Sequence, residues 1–303
     1  MKRVVIVGPR GQDGRLLRES LEARGDEVIG FGREDGPLTD RAKVAALLSA
    51  RQPHEVYYLA AYHHSAEDAV AEDDAECYRR SEEVHVAGLL SFLEGIRAQS
   101  PSTRLVYAAS SHIFGEPASS PQDESTPLQP VNIYGITKAA GVHCCRFYRQ
   151  SRGVFATVGI LYNHESPYRK KTFVSQKIVQ GALAIQAGRE SKLAMGNLSA
   201  RVDWGSARDY VHAMQLTLAL DQPDDFVIAT GETHTVGEFV EIVFSALDLD
   251  WRAHVVENPA LLRKNAITLC GNPRRLRERA GWQPTFSFQS MTEELLTHAR
   301  HAR

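Results

Sequence analysis

Tyr134 and Lys138 stand four positions apart in residues 132–140, NIYGITKAA. On a helix, side chains with this spacing lie one above the other on the same face. Ser110 ends a predicted strand a short way upstream. A tyrosine hydroxyl has a pKa of about 10, and lowering it toward 7 requires about 4 kcal/mol of preferential phenolate stabilisation. An adjacent ammonium group supplies part of that, and a serine hydroxyl can orient the reacting oxygen, so the three residues predict proton removal from an alcohol.

Three glycines, Gly8, Gly11 and Gly14, form G-x-x-G-x-x-G directly after the first predicted strand and at the start of a predicted helix. Such a turn lets the backbone approach a pyrophosphate, which then faces the positive end of the helix. A turn that merely needs glycine is the alternative, but the strand–turn–helix context favours dinucleotide binding. A positively charged nicotinamide would add to the acidification of Tyr134.

The second predicted strand ends in GFGRED, which bears on the choice of dinucleotide. Arg33 at its tip can pair with a 2′-phosphate, and Arg10 in the glycine turn is a second candidate for that contact. Glu34 or Asp35 could instead bind the ribose hydroxyls of NAD. The sequence therefore predicts NADP, with NAD as the alternative.

Predicted strands and helices alternate along the first half of the chain, including a long amphipathic helix over residues 81–99. This alternation predicts an α/β protein with a doubly wound parallel sheet of the Rossmann type. Residues 33–40, REDGPLTD, are too few for a full third βα unit, so we expect that unit to be shortened. We expect a longer strand over residues 54–62 to follow the next helix.

The pattern changes near Asn163, where helices are mixed with short strands, polar loops and prolines. We predict an NADP-binding Rossmann domain over residues 1–162 and a smaller, mainly substrate-binding domain over 163–303. Residues from about 203 to 231 are expected to return to the Rossmann part. The ligand cleft should lie between the two, at the carboxyl ends of the strands.

The amino-acid composition bears on whether the protein binds nucleic acid, membranes or metal ions. The chain has 303 residues, 43% hydrophobic and 24% charged, with a formal net charge of −2. This is typical of a soluble globular protein and gives no electrostatic reason to expect nucleic acid or membrane binding. Four cysteines without metal-ligand spacing predict no metal site, and as reduced thiols they favour a cytoplasmic location.

With these motifs in view, the sequence resembles extended short-chain dehydrogenases that act on nucleotide sugars, and most closely the GDP-mannose 4,6-dehydratases. The matching stretches cover most of the chain and are GQDGRLL, LTD, LAA, YGITK, LYNHESP, TFVSQKI, KLAMGNLSARVDWGSARDYVHAM and PDDFVIATGETHTVGEFVE. The resemblance implies a Rossmann domain with a small nucleotide-sugar domain, a GDP-sugar substrate and assembly as a homodimer or homotetramer.

The resemblance also implies a reaction. NADP oxidises C4 of the sugar, the 4-ketone acidifies the C5 proton, water is eliminated across C5–C6, and the hydride returns to C6. Tyr134 would be the C4 base, Lys138 its partner, and Ser110 would stand where the family has threonine. The resemblance also implies that Tyr134 and Lys138 contact the cofactor, and the LAA stretch suggests Leu59 and Ala60 as further cofactor contacts. Implied substrate contacts are Ser65, Asn163, Lys177, Lys192 and Arg263.

His112 departs from the family pattern because it occupies the place of the glutamate that performs the C5–C6 acid–base chemistry. Imidazole can both accept and donate protons near neutral pH. His112 could therefore replace the glutamate, or be a polar pocket residue without elimination chemistry. Val202 replaces a family arginine, and Pro37 replaces an aspartate. The alternatives are a GDP-4-keto-6-deoxy-sugar reductase, a C4 epimerase, or a catalytically inactive NADP-binding sensor, against which the intact triad argues.

Overall fold

The computed structural model describes residues 1–62, 73–258 and 268–301. A six-stranded parallel sheet has the order β10-β5-β4-β3-β1-β2, and three two-stranded pairs lie outside it. The strands are β1 (Arg3–Val7), β2 (Glu27–Phe31), β3 (Glu55–Tyr58), β4 (Arg104–Ser110), β5 (Ala156–Leu161), β6 (Asn163–Glu165), β7 (Leu193–Met195), β8 (Arg201–Val202), β9 (Trp204–Ser206), β10 (Asp225–Ile228), β11 (His234–Thr235) and β12 (Val255–Glu257).

Helices connect these strands. They are α1 (Gln12–Ala23), α2 (Arg41–Arg51), α3 (Asp74–Glu82), α4 (Gly88–Gln99), α5 (Ile133–Arg152), α6 (Val174–Gln186), α7 (Ala207–Ala219), α8 (Val236–Ser245), α9 (Trp251–His254), α10 (Arg274–Ala280) and α11 (Phe288–His301). Short 3₁₀ turns occupy Arg33–Asp35 and Ser111–Phe114. Strands β1, β3, β4 and β5 are almost entirely buried, as parallel strands covered on both faces must be.

The sheet confirms the predicted Rossmann-type fold and the shortened third unit. Only a 3₁₀ turn and α2 separate β2 from β3, and β2 is left as the edge strand. Strand β10 pairs in parallel with β5, so the chain returns to the sheet late, as expected. Strand β3 ends at Tyr58, earlier than predicted, and Leu59 and Ala60 lie just beyond its carboxyl end.

The long helix predicted over residues 81–99 is wrong in its boundaries. Helix α3 already begins at Asp74, and a π-helical segment, Glu83–Ala87, separates it from α4. At the start of α4, a Cβ on Gly88 would lie 2.5 Å from the Tyr58 hydroxyl, so this helix can pack on β3 only with glycine there. The π-helical turn places His85 in the core, fully buried.

Two hydrophobic clusters divide the described residues. The first surrounds the six-stranded sheet and includes α7 and β10, and the second joins α6, α8 and α11 around Trp204. This division supports the predicted domains 1–162 and 163–303, with a returning segment near 203–231. We propose these boundaries on that basis.

Asp203 anchors the returning segment. Its carboxylate is 1% exposed and accepts hydrogen bonds from the Thr230 amide (2.9 Å) and hydroxyl (2.6 Å) and from the amides of Gly231 (3.2 Å) and Gly271 (3.1 Å). Burial raises the pKa of Asp203 above its usual value, and these hydrogen bonds offset only part of the rise. One side chain thus satisfies donors from two distant stretches of the chain.

We expect Asp203→Asn to lower the free energy of unfolding by about 2 kcal/mol, because its amide NH₂ would face the Gly231 and Gly271 amides as donor against donor. Urea titration measures this. Asp221→Asn, at an exposed position, is the control and should change stability by less than about 0.5 kcal/mol. Equal stability of the two variants would contradict the anchoring role.

Candidate active site

The glycine turn packs tightly between β3 and α1. Gly8 has φ +90°, and a Cβ there would lie 2.9 Å from the Ala60 nitrogen; a Cβ on Gly14 would lie 2.5 Å from the Gly8 oxygen. Gly11 is less constrained, since its Cβ would make only a 3.5 Å contact. Among the described residues, no side chain caps the start of α1. The turn therefore has the close backbone packing and open helix terminus that suit a pyrophosphate.

The two acidic residues at the tip of β2 already have partners. Arg10 pairs with Glu34 at 2.9 Å, and 76% of the Arg10 side chain is exposed. Asp35 accepts a hydrogen bond from the Gly32 amide at 2.8 Å, and Arg33 is exposed in the 3₁₀ turn. Both acids predicted as NAD ligands thus have partners within the turn, and two arginines border it.

The structure brings the four predicted catalytic residues together at the carboxyl end of β4. Ser110 is the last residue of that strand, and its hydroxyl accepts a hydrogen bond from the His112 amide at 3.3 Å. Helix α5 carries Tyr134 and Lys138. The Lys138 Nζ donates to the Ala108 carbonyl at 2.7 Å and lies 5.7 Å from the Tyr134 ring centroid.

The protonation of this group differs from the sequence expectation. Burial raises the pKa of Tyr134 to about 12, while the positive charge of Arg169 and a hydrogen bond with Ser110 act in the opposite direction. Burial also lowers the pKa of Lys138 to about 7, against the attraction of Asp13. The polypeptide alone therefore does not acidify Tyr134, because desolvation outweighs the nearby charges.

Two histidine rings flank Tyr134 edge-on, with centroids at 5.3 Å for His85 and 5.7 Å for His112. His85 was not among the predicted residues. Its Nε2 accepts a hydrogen bond from the Tyr62 amide at 3.1 Å, so the ring proton is on Nδ1. The Nδ1 atom lies 2.8 Å from the Thr137 hydroxyl oxygen. The sequence feature that could have identified His85 was its place on the apolar face of the predicted helix.

Asp13 and His164 form an ion pair that sequence reasoning also missed. His164 Nε2 lies 3.0 and 3.1 Å from the two Asp13 oxygens, and its Nδ1 lies 2.7 Å from the Tyr162 carbonyl. A carbonyl and a carboxylate only accept hydrogen bonds, so both ring nitrogens donate and the imidazole is charged. The pair ties the glycine turn to β6. In the sequence, the pair was indicated only by the place of Asp13 inside the glycine turn and of His164 next to Asn163.

Arg169 is a further residue of the site that was not predicted. Its guanidinium carbon lies 3.8 Å from the Phe173 ring centroid, and its Nε is 3.6 Å from Glu165. Its positive charge lowers the pKa of both Tyr134 and Asp13. Arg169 thus places a cation near the predicted base.

The predicted substrate residues that the structure describes lie in the second half of the chain. Asn163 opens β6 and is half-buried, and Lys177 lies half-buried in the first turns of α6. Lys192 is exposed and donates to the Ala253 carbonyl at 2.6 Å, which ties it to α9. Ser65 and Arg263 lie outside the described residues.

The family position occupied by Val202 is apolar in the structure as well. Val202 packs against the second hydrophobic cluster. The adjacent Arg201 instead bonds Thr233, through its Nε to the hydroxyl at 3.0 Å and through its Nη2 to the carbonyl at 2.6 Å. Neither residue therefore replaces the missing arginine in this arrangement.

Within ranges 1–62, 73–258 and 268–301, no group of three or more His, Cys, Asp or Glu is arranged to hold a metal ion. None of the helices described above combines the length and apolar character needed to cross a bilayer.

Comparison with known proteins gives consistent matches. The family model described as GDP-mannose 4,6 dehydratase matches residues 33–295. GDP-mannose 4,6 dehydratase 1 of Arabidopsis thaliana is 33% identical over 97% of this chain and 89% of its own length. GDP-mannose 4,6-dehydratase of Vibrio cholerae is also 33% identical, over 97% of this chain and 93% of its own.

Solved structures share the fold. RMD from Pseudomonas aeruginosa, complexed with NADPH, superposes with a TM-score of 0.86 at 20% identity and covers 100% of both chains. UDP-glucose 4-epimerase from Thermus thermophilus, complexed with NAD, has a TM-score of 0.81 at 26% identity, over 99% of this chain and 100% of its own.

Proposed function

We propose that this chain, which belongs to the GDP-mannose 4,6-dehydratase family, is an enzyme that oxidises C4 of a GDP-linked sugar and eliminates water across C5–C6. The observation that carries the proposal is the meeting of Ser110, His112, Tyr134 and Lys138 at one end of β4. A binding protein without chemistry would not need a buried lysine against a tyrosine ring.

A nicotinamide dinucleotide suits the glycine turn, where Gly8 and Gly14 allow backbone packing that a side chain would prevent. When bound, it accepts the hydride and brings positive charge to the site. Of the two dinucleotides, NADP is our proposal. Arg10 lies in the glycine turn and Arg33 at the tip of β2, where they could pair with a 2′-phosphate, whereas Glu34 and Asp35 are engaged with Arg10 and Gly32. NAD remains the alternative, should Glu34 leave Arg10.

The residues of α5 and β4 divide the first step between them. Tyr134 takes the proton of the C4 hydroxyl as hydride leaves C4, and Ser110 orients the oxygen. With its pKa at about 12, Tyr134 needs additional positive charge before it can act as a base near neutral pH. The pKa of about 12 already includes the charge of Arg169, and burial lowers the pKa of Lys138 to about 7, so the additional charge would come from the bound nicotinamide.

His112 is the proposed acid–base group for the elimination. The ketone at C4 acidifies the C5 proton, which His112 accepts, and the electron pair of that C–H bond forms the C5–C6 double bond. The C6 hydroxyl takes a proton from His112 and leaves as water. Return of the hydride to C6, with a proton to C5, would complete a net loss of one water. A second candidate function stops at hydride transfer, as in a reductase or epimerase. The contact between His112 Nδ1 and Asn132 favours this second function, because it leaves only one ring nitrogen of His112 for proton transfer.

We further propose that the chain forms a homodimer or homotetramer. Apolar side chains on α3 and α5 are unusually exposed: Tyr78 at 46%, Ile136 at 42% and Phe147 at 48%. Burying them against a second copy would remove this surface from water. A cytoplasmic location remains our prediction, in keeping with the four free cysteines.

Incubation with GDP-mannose, together with NADP or NAD, tests the proposed function. We expect a product lighter by one water, detected by mass spectrometry, and tighter binding of NADP than of NAD. A product changed by two hydrogens would favour a reductase, and an unchanged mass with altered stereochemistry would favour an epimerase. Absence of any product from a panel of GDP-sugars would contradict the proposal.

A further inference from the structure

The Asn132 carboxamide has a fixed orientation. Asn132 is the N-cap of α5, and its Oδ1 accepts a hydrogen bond from the Gly135 amide at 2.8 Å. The amide can only donate, so the oxygen must face the helix. The Nδ2 group therefore faces His112, whose Nδ1 lies 3.2 Å away. Turning the carboxamide over would sacrifice the cap.

The same orientation settles the tautomer of His112. An amide NH₂ offers only donors, so Nδ1 must accept and cannot carry a proton. The proton of the neutral imidazole then lies on Nε2. In this state His112 can donate a proton through Nε2 but has no lone pair there to receive one.

We propose that Asn132 is a positioning residue that holds His112 as a proton donor and thereby slows water elimination relative to C4 oxidation. The inference rests on the proposed function. Elimination requires Nε2 to accept the C5 proton while the electron pair of that bond forms the C5–C6 double bond. The C6–O bond breaks, and the C6 hydroxyl takes up one further proton and leaves as water, so the elimination step involves no net oxidation. Before Nε2 can accept that proton, the ring proton of His112 must move from Nε2 to Nδ1. There it would face the Asn132 NH₂, donor against donor.

Asn132→Asp tests this coupling. Aspartate is an equally good N-cap, so one oxygen keeps the Gly135 bond. The other oxygen would accept from Nδ1, which moves the His112 proton there and leaves Nε2 as an acceptor. We expect the ratio of water elimination to C4 oxidation to rise about tenfold, the factor that corresponds to removing one unfavourable hydrogen-bond rearrangement.

Asn132→Ser is the matched control, because serine also caps the helix but is too short to hold the imidazole. We expect its elimination ratio to lie between those of the wild type and Asn132→Asp. The ¹⁵N chemical shifts of His112 should show Nε2–H in the wild type and Nδ1–H in the aspartate variant. This readout does not depend on turnover.

An Nδ1-protonated His112 in the wild type would overturn the inference, as would equal elimination ratios in the aspartate and serine variants. Failure of all three proteins to oxidise any GDP-sugar would instead refute the proposed function. In that case, the ¹⁵N shifts would still show whether Asn132 sets the tautomer.

Discussion

Replacing Tyr134 by phenylalanine is expected to lower turnover by about 10²- to 10⁴-fold, because the variant loses the group placed to take the C4 proton. Cofactor affinity should change little. The ring keeps its edge-on contacts with His85 and His112, and the glycine turn is not affected. Mass spectrometry of the dehydrated product formed from GDP-mannose gives turnover, since the hydride returns to C6 and no reduced nicotinamide accumulates. Fluorescence titration gives cofactor affinity.

Tyr148→Phe provides a demanding control. Tyr148 lies on the same helix, and burial together with its hydrogen bond to Glu94 raises its pKa to about 12, as for Tyr134. It packs away from the site, in the core beside α4. We expect Tyr148→Phe to retain activity. If both variants keep full turnover, Tyr134 has no part in proton transfer.

Local patterns were sufficient to predict the sheet and the grouping of Ser110, Tyr134 and Lys138 at the end of β4. The glycine turn, the alternation of strands and helices, and the four-residue spacing of Tyr134 and Lys138 are each written within a short stretch. Even the return of β10 to the sheet was predictable, because its residues read as a buried strand. Such features depend on periodicity rather than on distant partners.

The features that the sequence did not predict depend on tertiary contacts. Asp13 and His164 are 151 positions apart, and no spacing rule joins them. The raised pKa of Tyr134 reflects how deeply α5 packs on β4, which the sequence does not specify. Likewise, the π-helical turn lies between α3 and α4, where His85 contacts Tyr134 and Thr137 of α5, and these contacts join distant parts of the sequence.

The Asp13–His164 pair is also the basis of the second large prediction. Both side chains are mostly buried, with 18% of Asp13 and 10% of His164 exposed. Burial opposes the charge on each, but their mutual attraction prevails: the pKa of His164 is raised, and that of Asp13 is lowered. Folding therefore favours the doubly charged state.

The direction of each shift gives the pH dependence. The contribution of His164 is complete below its unfolded pKa of about 6.5 and is lost as pH rises through its raised folded pKa. The contribution of Asp13 is complete above about pH 4 and is lost as pH falls through its lowered folded pKa. The pair should thus stabilise the fold most between about pH 4 and 6.5.

We expect Asp13→Asn to reduce the free energy of unfolding by about 3 kcal/mol at pH 6, since it leaves a mostly buried imidazolium without its counter-charge. The loss should shrink as pH rises above the folded pKa of His164, where the wild-type pair is also uncharged on the histidine side. Urea titrations across this pH range measure both effects.

Glu238→Gln is the matched control, because Glu238 pairs with His234 at 3.4 Å on the surface, with 47% of Glu238 exposed. Solvent screening should limit that loss to less than about 1 kcal/mol. If Asp13→Asn were no more costly than this control, or if its cost did not vary with pH, His164 would be neutral in the folded protein. The hydrogen bond between its Nδ1 and the Tyr162 carbonyl argues for the charged form, because a neutral imidazole that donates there has only a lone pair to offer Asp13.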